Sequence, residues 1–200
     1  IADVERTISS QITLPEGYHI EYGGQFESAQ AASRILFWTT VAALLVIFLL
    51  IYGEFRSVPL SAIVMLSLPL ALIGGVLAVL LTSRVVSIPS IIGFITLFGI
   101  ATRNGILLIS NYRHLAQQGV PVAERVLRGS LDRLNPILMT ALTSALALIP
   151  LVLTGDQPGN EIQSPMAVVV LGGLLTSTLL NIYVMPVIYS RYATRKEVSL

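Results

Sequence analysis

Five long apolar stretches dominate the chain and restrict it to one kind of environment. They lie at about residues 35–52, 58–82, 88–112, 136–153 and 166–189. Each approaches or exceeds the ~20 residues that cross the hydrocarbon core of a bilayer. Hydrophobic residues make up 54% of the chain and charged residues only 12%, which leaves too little polar surface to cover five buried helices. Because lipid cannot hydrogen-bond free backbone groups, each stretch is predicted to be a membrane-spanning helix.

The N-terminal segment has a polar, mixed pattern. Val4, Ile8 and Ile12 recur at helical spacing, residues 14–17 form a turn, and residues 18–22 alternate as a strand does. The predicted fold is therefore an all-α membrane protein, a five-helix half-bundle with a short α+β fragment outside the membrane at its N-terminus. The chain lacks a starting Met, and we expect it to be part of a longer protein.

The distribution of basic residues predicts the orientation of the chain. One side of the membrane receives eight of them: Arg56, Arg113, Arg125, Arg128, Arg133, Arg191, Arg195 and Lys196. The other side receives three: Arg6, Arg34 and Arg84. Because cytoplasmic connections carry the excess of Lys and Arg, the N-terminal segment is predicted to be periplasmic and the C-terminus cytoplasmic.

Arg103 is the most constrained residue of the sequence, because it lies well inside the third predicted span. An arginine near the centre of a membrane helix costs at least ~2.5–3.5 kcal/mol, so its side chain is expected to face a partner or water. The same helical face carries Thr96, Gly99 and Ser110. Ala101 and Gly105 form a small-xxx-small pair that favours close approach of another helix. The alternative is that Arg103 extends along its own helix to the cytoplasmic interface.

The fourth span carries a polar face that matches Arg103. It consists of Thr140, Thr143, Ser144 and Ala147. The alternative is that these hydroxyls bond only to their own backbone, as is common in membrane helices. The predicted spans contain no carboxylate. We therefore expect the counter-charge of Arg103 to come from another chain or from a further part of this protein.

Several classes of site are excluded by residue type. Cysteine is absent, which excludes disulfides, thiolate metal sites and a Cys nucleophile. His19 and His114 are predicted to lie on opposite sides of the membrane, so we predict no metal site and no cofactor. Walker-type and hydrolase motifs are missing from the sequence, and ATP hydrolysis has no support. The net charge of +1 gives no reason to expect a nucleic-acid partner.

The basic segment from Arg125 to Pro136 leads into the fourth span. It is amphipathic, and it is predicted to form a helix along the inner membrane surface. Gly129 and Ser130 are predicted to break this helix. Asn135 and Pro136 are predicted to start the fourth span, with the proline in its first turn.

Three motifs resemble the last membrane helices of resistance-nodulation-division (RND) efflux pumps. They are GIATRNGILL at 99–108, RGSLDRLNPILMTALT at 128–143 and GGLLTSTLL at 172–180. GGQFE at 23–27 and GNEIQSPMAVVV at 159–170 resemble the heavy-metal-efflux branch, the CzcA and CusA type. The resemblance covers the whole chain. It implies the end of a periplasmic porter subdomain at 1–34, a transmembrane domain at 35–190 and a cytoplasmic tail at 191–200.

The resemblance also implies a function and its partners. The expected protein is a proton-driven transporter of the bacterial inner membrane, not an enzyme, and it exports heavy-metal cations. The expected partners are the remainder of the same pump, further copies in a homotrimer, a periplasmic adaptor, an outer-membrane channel and membrane lipids. The alternatives are efflux of organic compounds by the same fold and a non-transporting membrane anchor or assembly subunit.

The drug-exporting branch of this family has a relay that maps onto four residues here. Arg103 falls on the position of a lysine that interacts with two aspartates of the fourth span, and Asn104 follows it as the family's asparagine does. Thr140 and Arg133 fall on the relay's threonine and arginine. This sequence departs from both branches at Arg103, because drug pumps have Lys at that position and copper-type pumps have Glu. It departs from the copper-type pumps again at Ile137, where they have Lys. Because a guanidinium keeps its proton, Arg103 is expected to be a fixed counter-charge, not a proton carrier.

Overall fold

The computed structural model describes the backbone of residues 25–155 and 157–198, with side chains for 31–155 and 157–195. The helix, turn and strand predicted within residues 4–22 lie outside the described residues. The helices are α1 Gln25–Phe55, α2 Val58–Leu81, α3 Ile88–Gln117, α4 Val122–Leu153 and α5 Gln163–Val198. The described ranges contain no strand.

All five helices are long and apolar enough to cross a membrane. The prediction of an all-α membrane protein with five spans is therefore confirmed, and the chain is a multi-pass membrane protein. Its physical basis is the hydrogen bonding of the backbone, which a helix satisfies internally whatever its neighbours are. Short turns connect the helices, so that neighbours in sequence run in opposite directions.

The two ends of the bundle differ in charge. One end holds the α1–α2 turn, the α3–α4 turn and the described end of α5. Its arginines, which define what we call the basic end, are Arg56, Arg113, Arg125, Arg128, Arg191 and Arg195. At this end Arg113 donates from Nη1 to the carbonyl oxygens of Glu54 and Phe55, at 3.2 and 3.4 Å. Its guanidinium carbon also lies 5.6 Å from the centre of the Phe55 ring. These contacts bind α3 to the last turn of α1, whose carbonyls need donors.

Helices α2 and α5 cross at glycines in the half of the bundle away from the basic end. A Cβ atom added at Gly172 would lie 2.6 Å from the carbonyl oxygen of Gly74, and one at Gly74 would collide with Thr176. The Thr176 hydroxyl donates to the Gly173 oxygen of its own helix at 3.1 Å, and it lies 3.5 Å from the Ala71 oxygen of α2. The absence of side chains at the two glycines is what allows the two backbones to approach this closely.

Helices α3 and α5 run parallel in a fixed register. A Cβ at Gly173 would collide with Leu97, and the rings of Tyr112 and Tyr189 lie 4.6 Å apart. The residue number on α5 exceeds that of the facing residue on α3 by 76 at the Leu97–Gly173 contact and by 77 at the Tyr112–Tyr189 contact. Residues 101–102 of α3 therefore lie level with residue 178 of α5, and residues 104–105 lie level with residue 181.

Helix α4 is continuous from Val122 to Leu153, and the predicted break at Gly129 and Ser130 is wrong. The missing side chain of Gly129 accommodates the Tyr112 ring, since a Cβ there would lie 2.6 Å from Cδ1 of that ring. Ser130 shares a 2.6 Å hydrogen bond with the Tyr112 hydroxyl. Pro136 lies inside the helix and does not start it. The two residues that we expected to interrupt α4 instead attach it to α3.

Candidate functional site

The polar face predicted for α3 points out of the five-helix bundle. Thr96, Gly99 and Arg103 are all exposed, and Ser110 is half-buried. Apart from the neighbouring backbone of α3 itself, no atom of the described chain lies within 4 Å of the position that a Cβ on Gly99 would take. The prediction that these residues share one face is confirmed. In this chain that face is open, and its polar groups are directed to whatever covers α3 from outside.

The opposite face of α3 is closely packed. Ala101 is fully buried, and a Cβ added at Gly105 would lie 3.0 Å from Val64 of α2 and 3.7 Å from Met185 of α5. The predicted close approach at the Ala101–Gly105 pair is therefore confirmed, and it involves two helices. This packing fixes the direction in which Arg103 points.

Arg103 is the sixteenth of the thirty residues of α3, close to its centre. Its side chain is exposed, and no acidic group or other hydrogen-bonding partner contacts it among residues 31–155 and 157–195. The acidic side chains on α4, Glu124 and Asp132, are exposed and lie in its half nearer the basic end. The guanidinium thus keeps its full hydrogen-bonding capacity for a group outside this part of the chain.

Thr140 lies level with Arg103 on the neighbouring helix α4. Asn111 of α3 donates to the Gly129 oxygen at 3.0 Å, which fixes the register of the two antiparallel helices together with the Tyr112–Ser130 pair. Arg103 is nine residues from Tyr112 and Thr140 ten from Ser130, which is about 14 and 15 Å of helix.

The Thr140 hydroxyl is half-buried and donates to the Pro136 oxygen at 2.8 Å. The backbone bonding that we weighed as an alternative is therefore present. It leaves the hydroxyl oxygen free as an acceptor, and an acceptor suits a guanidinium or a protonated carboxyl group. Arg133 is half-buried on the same helix, two turns nearer the basic end.

Asn104 points into the bundle and is 5% exposed, on a different side of α3 from Arg103. The structure also places further polar groups in the interior at this level. They are Thr102 on α3 and Thr178 and Asn181 on α5, and all four of their buried hydroxyl and amide atoms lack a hydrogen-bond partner in the described chain.

Sequence reasoning missed these three residues. The available signals were the i, i+3 spacing of Thr178 and Asn181 and the position of Thr102 beside Arg103. Neither signal distinguishes a buried hydroxyl from one that faces lipid.

The described residues hold no group of three or more His, Asp or Glu side chains that could bind a metal ion. At the level of Arg103 the site is thus built from one cation, hydroxyls and amides. Such groups can bind and orient an ionised carboxylate, and they can exchange hydrogen bonds with it when it takes up a proton. None of the four residues predicted from the relay, Arg103, Asn104, Thr140 and Arg133, is joined to another by a hydrogen bond within the described ranges.

The sequence is similar to proteins named for metal resistance. The cobalt-zinc-cadmium resistance protein CzcA of Cupriavidus metallidurans is 39% identical over 198 residues, 98% of this chain and 18% of CzcA. The nickel-cobalt-cadmium resistance protein NccA of Alcaligenes xylosoxydans xylosoxydans is 37% identical over the same shares of the two chains. This chain therefore spans about a fifth of the length of these relatives.

A solved structure shows the same arrangement of helices. The crystal structure of a heavy metal efflux pump, crystal form II, matches with a TM-score of 0.79 and 34% sequence identity, and the match covers 96% of this chain and 19% of the other. Residues 1–193 match the sequence family described as AcrB/AcrD/AcrF. With this match over nearly the whole length, the predicted relationship is confirmed, and the chain belongs to the AcrB/AcrD/AcrF family of RND transporters.

Proposed function

We propose that this chain is part of a proton-driven transporter that exports heavy-metal cations, and that Arg103 is the fixed counter-charge of its coupling site. One observation carries the proposal. A guanidinium lies near the centre of a membrane helix, exposed and without a partner in the described ranges. Because a cation facing lipid at this depth is costly, we infer that an anionic group of another helix covers it in the whole protein.

The coupling would depend on the protonation of that anionic group. An ionised carboxylate about 4 Å from Arg103 gains about 4 kcal/mol at an effective dielectric constant near 20, which favours the ionised form by roughly a thousandfold. Protonation removes this attraction and frees the helix that bears the carboxyl group to shift relative to α3. Arg103 serves only to change the affinity of the carboxylate for protons.

The other three relay residues would support the same exchange. Thr140 offers a free acceptor at the level of Arg103, because its hydroxyl proton is already donated to Pro136. Asn104 adds a polar side chain inside the bundle at the height of Arg103, and Arg133 provides positive charge nearer the basic end. We propose that Thr140 binds the carboxyl group when it is protonated and can donate.

The direction and setting of transport follow from the charge distribution and the family. We propose that the basic end faces the cytoplasm, that the N-terminal segment is periplasmic and that the membrane is the bacterial inner membrane. We further propose that the pump is a homotrimer that works with a periplasmic adaptor and an outer-membrane channel. Heavy-metal cations are the proposed substrates because the similar proteins are named for resistance to cobalt, zinc, cadmium and nickel.

The role of Arg103 is tested in the full-length protein with Arg103→Gln and Arg103→Lys. Arg103→Gln removes the charge and is expected to reduce proton-driven metal uptake into everted membrane vesicles at least tenfold. Arg103→Lys keeps the charge and is expected to retain part of the activity. Arg128→Gln is the matched control, because Arg128 is exposed on α4 near the basic end, away from the level of Arg103. Wild-type uptake by Arg103→Gln at equal abundance would contradict the proposal.

The substrate is tested separately with the wild-type protein in the same vesicles. Cobalt, zinc and cadmium ions are each offered under an imposed proton gradient, and a lipophilic organic dye is offered in parallel. Uptake of the metals and not of the dye is the expected result. Transport of the dye alone would assign the protein to organic-compound efflux and would leave the coupling role of Arg103 standing.

A further inference from the structure

A groove lies between the start of α2 and the last described turns of α5 at the basic end, and two arginines form its outer rim. It has a volume of about 430 Å³, within the ~300–1,000 Å³ range of ligand sites. The lining residues are Pro59, Ile63, Ile188, Arg191, Tyr192 and Arg195. Arg191 and Arg195 are exposed and four residues apart, so both lie on one face of α5. Ile63 is buried and forms the floor.

The two rim arginines differ from their neighbours in having no partner. Arg113 donates to the Glu54 oxygen of α1, and Arg125 donates from Nη2 to the Val120 oxygen at 2.8 Å. The two rim guanidinium groups form no hydrogen bond or ion pair with residues 31–155 and 157–195, and no Asp or Glu lines the groove. Like charges one turn apart repel each other, so an anion shared between the two guanidinium groups would stabilise this arrangement.

The polarity of the groove follows the polarity of a bilayer. Because Arg103 lies near the middle of a membrane-spanning helix, its level, between residues 179 and 180 of α5, marks the approximate centre of the membrane. Ile188 lies about 13 Å from this level along α5, inside the apolar core, which ends ~15 Å from the centre. Arg191 and Arg195 lie at about 17 and 23 Å, at the depth of the headgroups. The groove is therefore apolar where acyl chains lie and cationic where lipid phosphates lie.

We propose that this groove binds one anionic phospholipid of the leaflet at the basic end. Its phosphodiester is held by Arg191 and Arg195, and the start of an acyl chain lies on Ile63 and Ile188. The planar guanidinium group binds phosphate oxygens through two parallel hydrogen bonds, and two such groups favour a lipid with net negative charge. Basic pockets between membrane helices at headgroup depth select anionic lipids in this way.

Two hydroxyls beside the same arginines suit the remainder of the headgroup. Ser190 and Thr194 line a second opening next to Arg191 and Arg195. Each hydroxyl donates its proton to a carbonyl oxygen of its own helix at 2.9 Å, so its oxygen remains available as an acceptor. Phosphatidylglycerol carries one net negative charge and two headgroup hydroxyls that can donate. It therefore matches both the arginines and the two acceptors.

The site is tested by native mass spectrometry of the full-length protein, purified in detergent and titrated with dioleoylphosphatidylglycerol. Dioleoylphosphatidylethanolamine, with the same chains and phosphodiester but no net charge, is expected to bind at least fivefold more weakly. Arg191→Gln/Arg195→Gln is expected to weaken phosphatidylglycerol binding at least tenfold. Arg128→Gln is the matched control, because it removes an exposed arginine of the same end that does not line the groove, and it is expected to change the affinity less than twofold.

The double variant should melt at the wild-type temperature in the absence of added lipid, because neither guanidinium has a partner in the described chain. Wild-type affinity of the double variant would overturn the proposal. An equal loss in Arg128→Gln would also overturn it, since the binding would then reflect the total charge of the basic end. No preference for phosphatidylglycerol over phosphatidylethanolamine would mean that another segment of the protein fills the groove.

A competition experiment distinguishes a lipid from a free phosphate compound. Glycerophosphoglycerol, which is the headgroup without acyl chains, is added in molar excess and is expected to leave the bound lipid in place. Displacement of the lipid would overturn its assignment as the ligand. These measurements use neither metal nor a proton gradient, and Arg103→Gln is expected to bind phosphatidylglycerol as the wild type does. Failure of the coupling role of Arg103 would therefore leave the lipid site standing.

Discussion

The crossing of α2 and α5 makes a quantitative prediction for Gly172→Ala. The new Cβ would lie 2.6 Å from the Gly74 carbonyl oxygen, whereas an ordinary contact of this kind begins near 3.4 Å. The Cβ of Ala78 would be nearer still, at 2.4 Å, so the two helices must separate by about 1 Å at the crossing, and the contacts around it lose part of their dispersion energy. Overpacking of this kind costs about 1–3 kcal/mol, and a clash with backbone belongs at the upper end because a peptide group cannot change rotamer.

The assay is unfolding of the purified protein in mixed micelles, followed by tryptophan fluorescence as the fraction of SDS rises. Gly172→Ala is expected to unfold at a lower SDS fraction, with a loss of about 2–3 kcal/mol in the free energy of unfolding. Gly53→Ala is the matched control, since no atom lies within 4 Å of its added Cβ. The control is expected to be neutral or slightly stabilising, because alanine favours the helix by up to about 1 kcal/mol over glycine. Equal stability of the two variants would refute the close approach of α2 and α5.

Two further substitutions test the outward face of α3 and its attachment to α4. Gly99→Ala should not disturb the packing of the five helices described here. It should lower metal uptake by the full-length protein if another helix packs on the face that bears Arg103. Unchanged uptake would mean that nothing packs closely on that face. Tyr112→Phe should lose about 1 kcal/mol of unfolding free energy with its 2.6 Å hydrogen bond to Ser130. Adding Ser130→Ala to Tyr112→Phe should cost little more, and a fully additive loss would contradict the pairing.

The five spans could be predicted from the sequence because the requirement behind them is local. A chain in lipid must satisfy its backbone within each segment, so apolar length is sufficient information. The outward face of α3 was predictable for a related reason. Thr96, Gly99 and Arg103 repeat at helical spacing, and their polarity contrasts with the apolar residues around them.

The course of α4 could not be predicted, because Gly129 and Ser130 have different effects in different surroundings. Next to water they favour the end of a helix. Here the space beside Gly129 is taken by the Tyr112 ring, and the hydroxyl of Ser130 is taken by the same tyrosine. That partner is 17 to 18 residues away in sequence, and no local pattern identifies it.

The interior polar residues escaped prediction for a similar reason. Whether Asn181 faces lipid, a helix or a cavity depends on the crossing of α4 and α5, and a single asparagine in an apolar helix is compatible with all three. The environment of Arg103 could be predicted only because its charge makes direct contact with lipid too costly. The cost of a neutral amide is smaller, so the sequence constrains it less.

The interlocking of α3 with α5 determines how a shift that begins at Arg103 can travel. Axial sliding of α3 by one residue, about 1.5 Å, would move Leu97 off the gap left by Gly173 and drive its methyl groups into the backbone on either side. The stacked rings of Tyr112 and Tyr189 oppose the same movement at the other end. The two helices can therefore translate only as a pair. An axial displacement of α3 at Arg103 therefore carries α5 with it as far as Arg191 and Arg195, which lie about 17 and 23 Å along α5 from the level of Arg103.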